Sequence, residues 1–562
     1  MGGELIDSLA FFPYYECNPM TEKEKLHNLF KEYQRFFFRA RPMQATHYGF
    51  HLYDDLLGDF SKEGIGDYLQ GETKFLNAFR NTIHPKRLDL PDRIDYEALC
   101  QDMWADLELE RRERPWETDP ASYVSRCTDA CYLLLIGVFA PRQERLRNLS
   151  LRMQKIPHFL KTAQKNLKIC PRDSILTAHE ITESSIAFFK ELAADHHLPV
   201  SLQRDLSESQ KETLRAFEEY GDFLKEKLLP KAKGSSAVGR ELFEFILKEK
   251  HLLSYNAKTL LEMGEEELEK SKKKIKMIAK LIDPRQDWRA ILYKSRLDLP
   301  NSKRLVEEYQ KVLGKVKRFI EEKGIVELPE KDGLLLTETP IYERPIIPYA
   351  AYLPPAPLEK NPRGIFYVTP PFGTAAKVRA LLREHSVQEV RLTVIHEAYP
   401  GHHLQFSWQN AHPSPIRKFM GDDVLAEGWA FYCEEMMLEE GFDPDSKTYL
   451  LLMKNHLWRS SRVILDSKLH TGQMTSREGV EFLKKEVSMA HDSAVREIRR
   501  YLLEPTQPSS YMIGKQEILK LREEYHRRHR APLGEFHTRL LKEGALPFKF
   551  LRKLMLGNDH ER

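Results

Sequence analysis

Residues 396–405 read H-E-A-Y-P-G-H-H-L-Q, after a helix-compatible run at 377–395 and ahead of Glu427 in E-G-W-A-F-Y-C-E-E. Imidazole nitrogens and one carboxylate are the donors a catalytic Zn²⁺ takes, and a further, non-coordinating Glu activates the water. The common string H-E-x-x-H sets two His at i and i+4 on one helix face. Here the i+4 residue is Pro400, which cannot bind metal, and the next histidines are His402 and His403. In a straight helix His403 falls ~20° from His396 in azimuth but about 10 Å along the axis, and His402 is off that face. Pro400-Gly401 offers a way out, since Pro removes a helix hydrogen bond and Gly tolerates unusual backbone angles. A two-residue bulge there carries His402 to the second ligand position. The expected metal set is therefore His396, His402 and Glu427, holding one Zn²⁺ per chain, with His403 as the competing ligand. Glu397 is the expected general base, and Glu434 or Asp423 the residue that orients a ligating His.

The rest of the 562-residue chain bounds this reading. Lys and Arg number 87 against 84 Asp and Glu, a net charge of +3, which argues for neither a nucleic-acid nor a membrane partner. The six cysteines are scattered, and Cys127 and Cys131 lack a second pair to complete a zinc knuckle. They read as free buried thiols. M-G-G-E-L-I-D-S has no basic stretch ahead of an apolar core, and the apolar run 131–140 is too short to span a bilayer. The expected location is the cytoplasm.

Apolar residues at 3–4 spacing predict long helices over most of the chain, among them 21–47, 91–115, 141–168, 173–196, 444–470 and 477–504. Asp173 reads as an N-cap. K-A-K-G-S-S-A-V, 231–238, reads as a linker between an N-terminal helical region, 1–238, and a catalytic region, 239–562, with one continuous domain as the alternative. Between 325 and 370 the texture changes to short β-branched and aromatic runs separated by prolines, which predicts one small sheet. Ile365–Val368 is the candidate edge strand, with Tyr367 as a substrate contact, or else part of a structural hairpin packed on the metal helix. Arg462, Asp466 and His470 form an i, i+4, i+8 stripe, read either as a buried network reaching the site, His470 included, or as a surface ladder. Tyr511, expected at a break before a helix, is the candidate oxyanion donor. Arg499, Arg500 and Arg522 are candidates to clamp a peptide carboxylate.

H-E-A-Y-P-G-H resembles the H-E-x-x-P-G-H signature of the domain of unknown function 885 family, grouped with the gluzincin metallopeptidases. A-T-H-Y-G-F-H-L-Y-D-D, R-G-I-F-Y-V, E-G-W-A-F-Y-C-E and S-Y-M-I-G-K extend the resemblance over nearly the whole chain. It implies a mainly α, gluzincin-like fold: long helices around a deep groove, with one small sheet. It also implies a zinc metallopeptidase acting on short peptides, of oligopeptidase or exopeptidase type. The competing expectations are a zinc amidase or esterase on small molecules, and a catalytically silent helical binding protein.

Overall fold

Helices form where apolar residues recur on one face and the ends are capped. Thr21 caps Glu22–Ala40 through a capping box with Glu24, and Leu26, Phe30 and Tyr33 are its buried stripe. The computed structural model describes residues 20–192, 198–330, 333–339, 344, 347, 349–371 and 373–557. The chain is 74% helical with one small sheet. No helix among the described residues is long and apolar enough to cross a membrane.

The sheet has three strands: β1 (Leu334–Glu338), β2 (Ala350–Leu353) and β3 (Gly364–Val368). Their order is β1-β3-β2, with β1 parallel and β2 antiparallel to β3. The expected edge strand is thus the central one, buried at every residue. A strand paired on both sides has no free backbone groups for a peptide, so the role of Ile365–Val368 as a docking edge is corrected. Tyr367, only 4% exposed, packs with Ile136 and Ile365 and is corrected as a substrate contact.

Other local expectations shift too. The run 377–395 is divided by a short turn at Arg383–His385, after which Val387–Glu397 forms the helix entering the site. The run 477–504 divides at Ser488, which has φ 59° and ends the Ser476–Val487 helix. Asp173 lies in the first turn of Arg172–Lys190 and is not its cap. Tyr511 sits inside the helix Gln507–His529, not at a break before it.

The cores do not follow a cut at 238. One contains Leu26, Phe79 and Met103 together with Val394, Trp429, Met512 and Leu551. A second, from Val124, Leu149, Phe188 and Phe217, belongs to the helices between 120 and 228. The A-T-H-Y-G-F-H-L-Y-D-D stretch supplies the joint between them. Thr46 donates to buried Asp54 at 2.7 Å, and fully buried Arg152 donates to Thr46 and to the Ala130 carbonyl. The described cysteines, Cys100, Cys127, Cys131, Cys170 and Cys433, are buried and free.

Candidate metal centre

The Val387–Glu397 helix stops one residue after His396, and His402–Ala411 begins a new one. Residues 398–401 turn the chain between them, so this is a full break and not a bulge within one helix. The Gly401 N–H donates to the Ile395 carbonyl at 3.0 Å. A Cβ on Gly401 would meet the His396 carbonyl oxygen at 1.9 Å, so only glycine allows the close return. Trp429, fully buried, ties the turn to the next helix by donating from Nε1 to the Pro400 carbonyl at 2.7 Å.

That next helix, Asp423–Glu439, is capped by Asp422 and carries Glu427. It packs on Gln507–His529 at two facing glycines. A Cβ on Gly514 would meet the Val424 carbonyl oxygen at 1.8 Å, and one on Gly428 would meet Gly514 Cα at 2.3 Å. The close approach brings Tyr511, three residues before Gly514, beside the cluster.

His396, His402 and Glu427 offer ligand atoms all within 4.8 Å of one another. Glu427 Oε2 is 3.7 Å from His396 Nε2 and 3.5 Å from His402 Nε2. That oxygen is buried with no hydrogen-bond partner among the described residues. On its other side His396 Nδ1 meets Glu434 Oε1 at 2.8 Å. Glu434, and not Asp423, is therefore the carboxylate that orients this ring. Burial pushes His396 down, but the neighbouring Glu427 and Glu434 carboxylates outweigh it and raise it to about 10. Burial pushes Glu427 up, and His396 and His402 hold it well below the usual range. The cluster favours a positive charge among its carboxylates, supplied by a proton or by a cation.

His403 faces elsewhere. It is fully buried, its Nδ1 meets the Tyr352 hydroxyl at 3.0 Å, and Gly364 makes room for that pair. Glu397 is partly exposed and makes no hydrogen bond or ion pair among the described residues. Tyr511 stacks on His396, centroids 6.4 Å apart at 18°. Burial, then Glu427, push its phenol up to about 12 against three nearby arginines.

The remaining candidates do not gather there. His470 is fully buried with both ring nitrogens on backbone, Nε2 with the Tyr501 carbonyl at 3.0 Å and Nδ1 with the Val238 N–H at 3.4 Å. It secures the end of the 231–238 stretch and is corrected as a substrate contact. Arg522 donates to the Tyr432 hydroxyl at 2.9 Å, eleven residues beyond Tyr511 and so ~16 Å along the helix. It too is corrected. Arg499 pairs with Glu180. Arg500 donates to Gln507 at 2.9 Å and to Glu497 at 3.3 Å, yet acts electrostatically on Tyr511. Of the 462–466–470 stripe, all buried, Arg462 reaches the site, with its guanidinium 4.7 Å from the Tyr511 ring centre. Arg459 was not singled out in the sequence. It lies 3.7 Å from Glu434 and 5.6 Å from the Tyr511 ring centre. Its i, i+3 spacing to Arg462 was the available signal.

The family profile described as "Bacterial protein of unknown function (DUF885)" matches residues 42–555. The chain belongs to this family. No curated protein matches it. A solved structure of a "putative lipoprotein of unknown function" from Shewanella oneidensis is similar to this DUF885 chain at 24% identity and TM-score 0.78. That match covers 96% of this chain and 100% of the other. A second, the "putative lipoprotein" from Colwellia psychrerythraea, is 16% identical with TM-score 0.81, covering 95% and 99%. These likenesses establish a shared fold. They also correct the cytoplasmic expectation, because the solved chains that share this fold are described as putative lipoproteins.

Proposed function

We propose that this DUF885 chain is a gluzincin-type zinc hydrolase that cleaves peptide bonds in short peptides. The observation that carries the reading is the His396, His402 and Glu427 cluster, gathered from three helices. The donors fit the ion. Ligand atoms ~2.0–2.2 Å from a tetrahedral Zn²⁺ stand about 3.3 Å apart. The two His–Glu separations, 3.5 and 3.7 Å, are close to that value, and the unpartnered Glu427 Oε2 is the atom they share. The Glu434 contact to Nδ1 leaves His396 Nε2 as the inward nitrogen.

Zinc held there would polarise a carbonyl and make water nucleophilic near neutral pH. Glu397, with no partner of its own among the described residues, takes the proton from the attacking water and returns it to the leaving amine nitrogen. Tyr511, protonated at neutral pH, donates its hydroxyl proton toward the oxyanion of the scissile carbonyl. Zinc-loaded protein incubated with a peptide library of mixed length should hydrolyse the short members. A chelator should stop the reaction and zinc restore it. Turnover of small esters or amides with every peptide intact would contradict the peptide reading.

A further inference from the structure

We infer that Arg459 and Arg462 form a subsite for the free carboxylate at a peptide's C-terminus, so that the enzyme trims peptides from that end. This rests on the metallopeptidase reading and names its substrate class. The argument begins with unequal partners. Arg462 donates from Nε to the Tyr501 hydroxyl at 3.1 Å and from Nη2 to Glu497 at 3.2 Å. Its Nη1 is buried with no hydrogen-bond partner among the described residues, and the side chain is 6% exposed. Glu497 must also serve Arg500, at 3.3 Å. Arg459 Nε is likewise buried without a hydrogen-bond partner among the described residues, and Glu434, 3.7 Å from Arg459 Nη2, is engaged by His396 through Oε1. Arg500 has Glu504 as well, at 3.4 Å, so the unpartnered donors of this group are Arg462 Nη1 and Arg459 Nε. Buried charged donors without acceptors are costly, and native sites that keep them have a use for them.

Position supplies the second argument. Both guanidiniums lie against the partly exposed Tyr511 ring, and that ring stacks on His396. Adding the two ring distances puts the Arg462 guanidinium within about 11 Å of His396. Extended chain spans ~3.3–3.6 Å per residue, so one or two residues bridge the scissile carbonyl and the anchored carboxylate. A carboxylate seated alongside the partly exposed Tyr511 ring, which keeps its place beside His396, meets two donors, and Arg binds a carboxylate in a planar fork.

The test compares one short peptide as free acid, as C-terminal amide, and as an amide ending in Asp, on zinc-loaded wild type, Arg462→Lys and Arg459→Gln. Wild type should favour the free acid by ~10–100-fold in kcat/KM, mainly through KM, and each variant should lose most of that preference. Equal cleavage of acid and amide would overturn the subsite. Rescue by the Asp side chain would overturn its assignment to the terminus. Calorimetric binding of a dipeptide and its amide to the same proteins gives a readout without turnover. Acid-selective binding weakened in Arg462→Lys supports the subsite even if no peptide is cleaved, and equal binding overturns it.

Discussion

Replacing Glu397 by Gln should leave the bound metal and the fold intact while lowering kcat by ~10²–10⁴-fold, because an amide cannot accept the water's proton. Metal analysis and peptide turnover on one preparation check both halves. Glu434→Gln keeps the shape but weakens the contact to His396 Nδ1, and should cost ~10–100-fold in metal affinity, read by competition with a chelator. The donor residues were legible in the sequence because few side chains bind zinc and their spacing has chemical meaning. Of the site's arginines, Arg462 was legible only as part of a stripe with two readings, and Arg459 was not legible. A cation on a helix reads as a solvated face until its neighbours are known, and those of Arg462 come from residues 497, 501 and 511. His470 misled for the same reason, since the backbone atoms that occupy it belong to Val238 and Tyr501.

Helices were legible element by element, because a 3.6-residue period records which face is buried. The sheet's location was legible, and its order was not. Strand pairing is nonlocal, and β1 and β2 close on β3 from opposite sides. Two helix contacts can be tested directly. Gly514→Ala pushes a methyl into the Val424 carbonyl, and denaturant unfolding should show a loss of about 1–3 kcal/mol or more. Asp466, on Ser446–His470, accepts from the Thr506 N–H at 3.2 Å and from Ser509. Burial, only partly offset by those bonds, pushes its carboxyl from 3.8 up to about 7. The folded protein therefore keeps a proton that the unfolded chain releases. This residue's contribution to stability is greatest below pH ~4 and falls as pH rises towards about 7. Asp466→Asn should remove that part of the slope between pH 4 and 8.

At the scale of the molecule, a polar linker at 231–238 looked like a boundary, yet the helices that carry His396 and Glu427 share their core with residues 26–103. Composition shifts mark flexible or exposed chain, and do not say which segments bury one another. Arg417, 1% exposed, makes the dependence concrete by pairing with Asp95 and Glu543, each at 2.6 Å. Asp95→Ala leaves that guanidinium short of a partner and should cost ~3–5 kcal/mol. Thermal and denaturant unfolding measure it. A fragment of residues 239–562 should fail to fold alone, as circular dichroism and proteolysis would reveal.

The most direct measurement is metal content by elemental analysis of wild type, His402→Ala, His403→Ala and Glu427→Ala, purified side by side with zinc available. The account predicts about one zinc per chain in wild type and in His403→Ala, and most of it lost from the other two. Wild-type protein without metal, or zinc lost from His403→Ala and retained in His402→Ala, would contradict it.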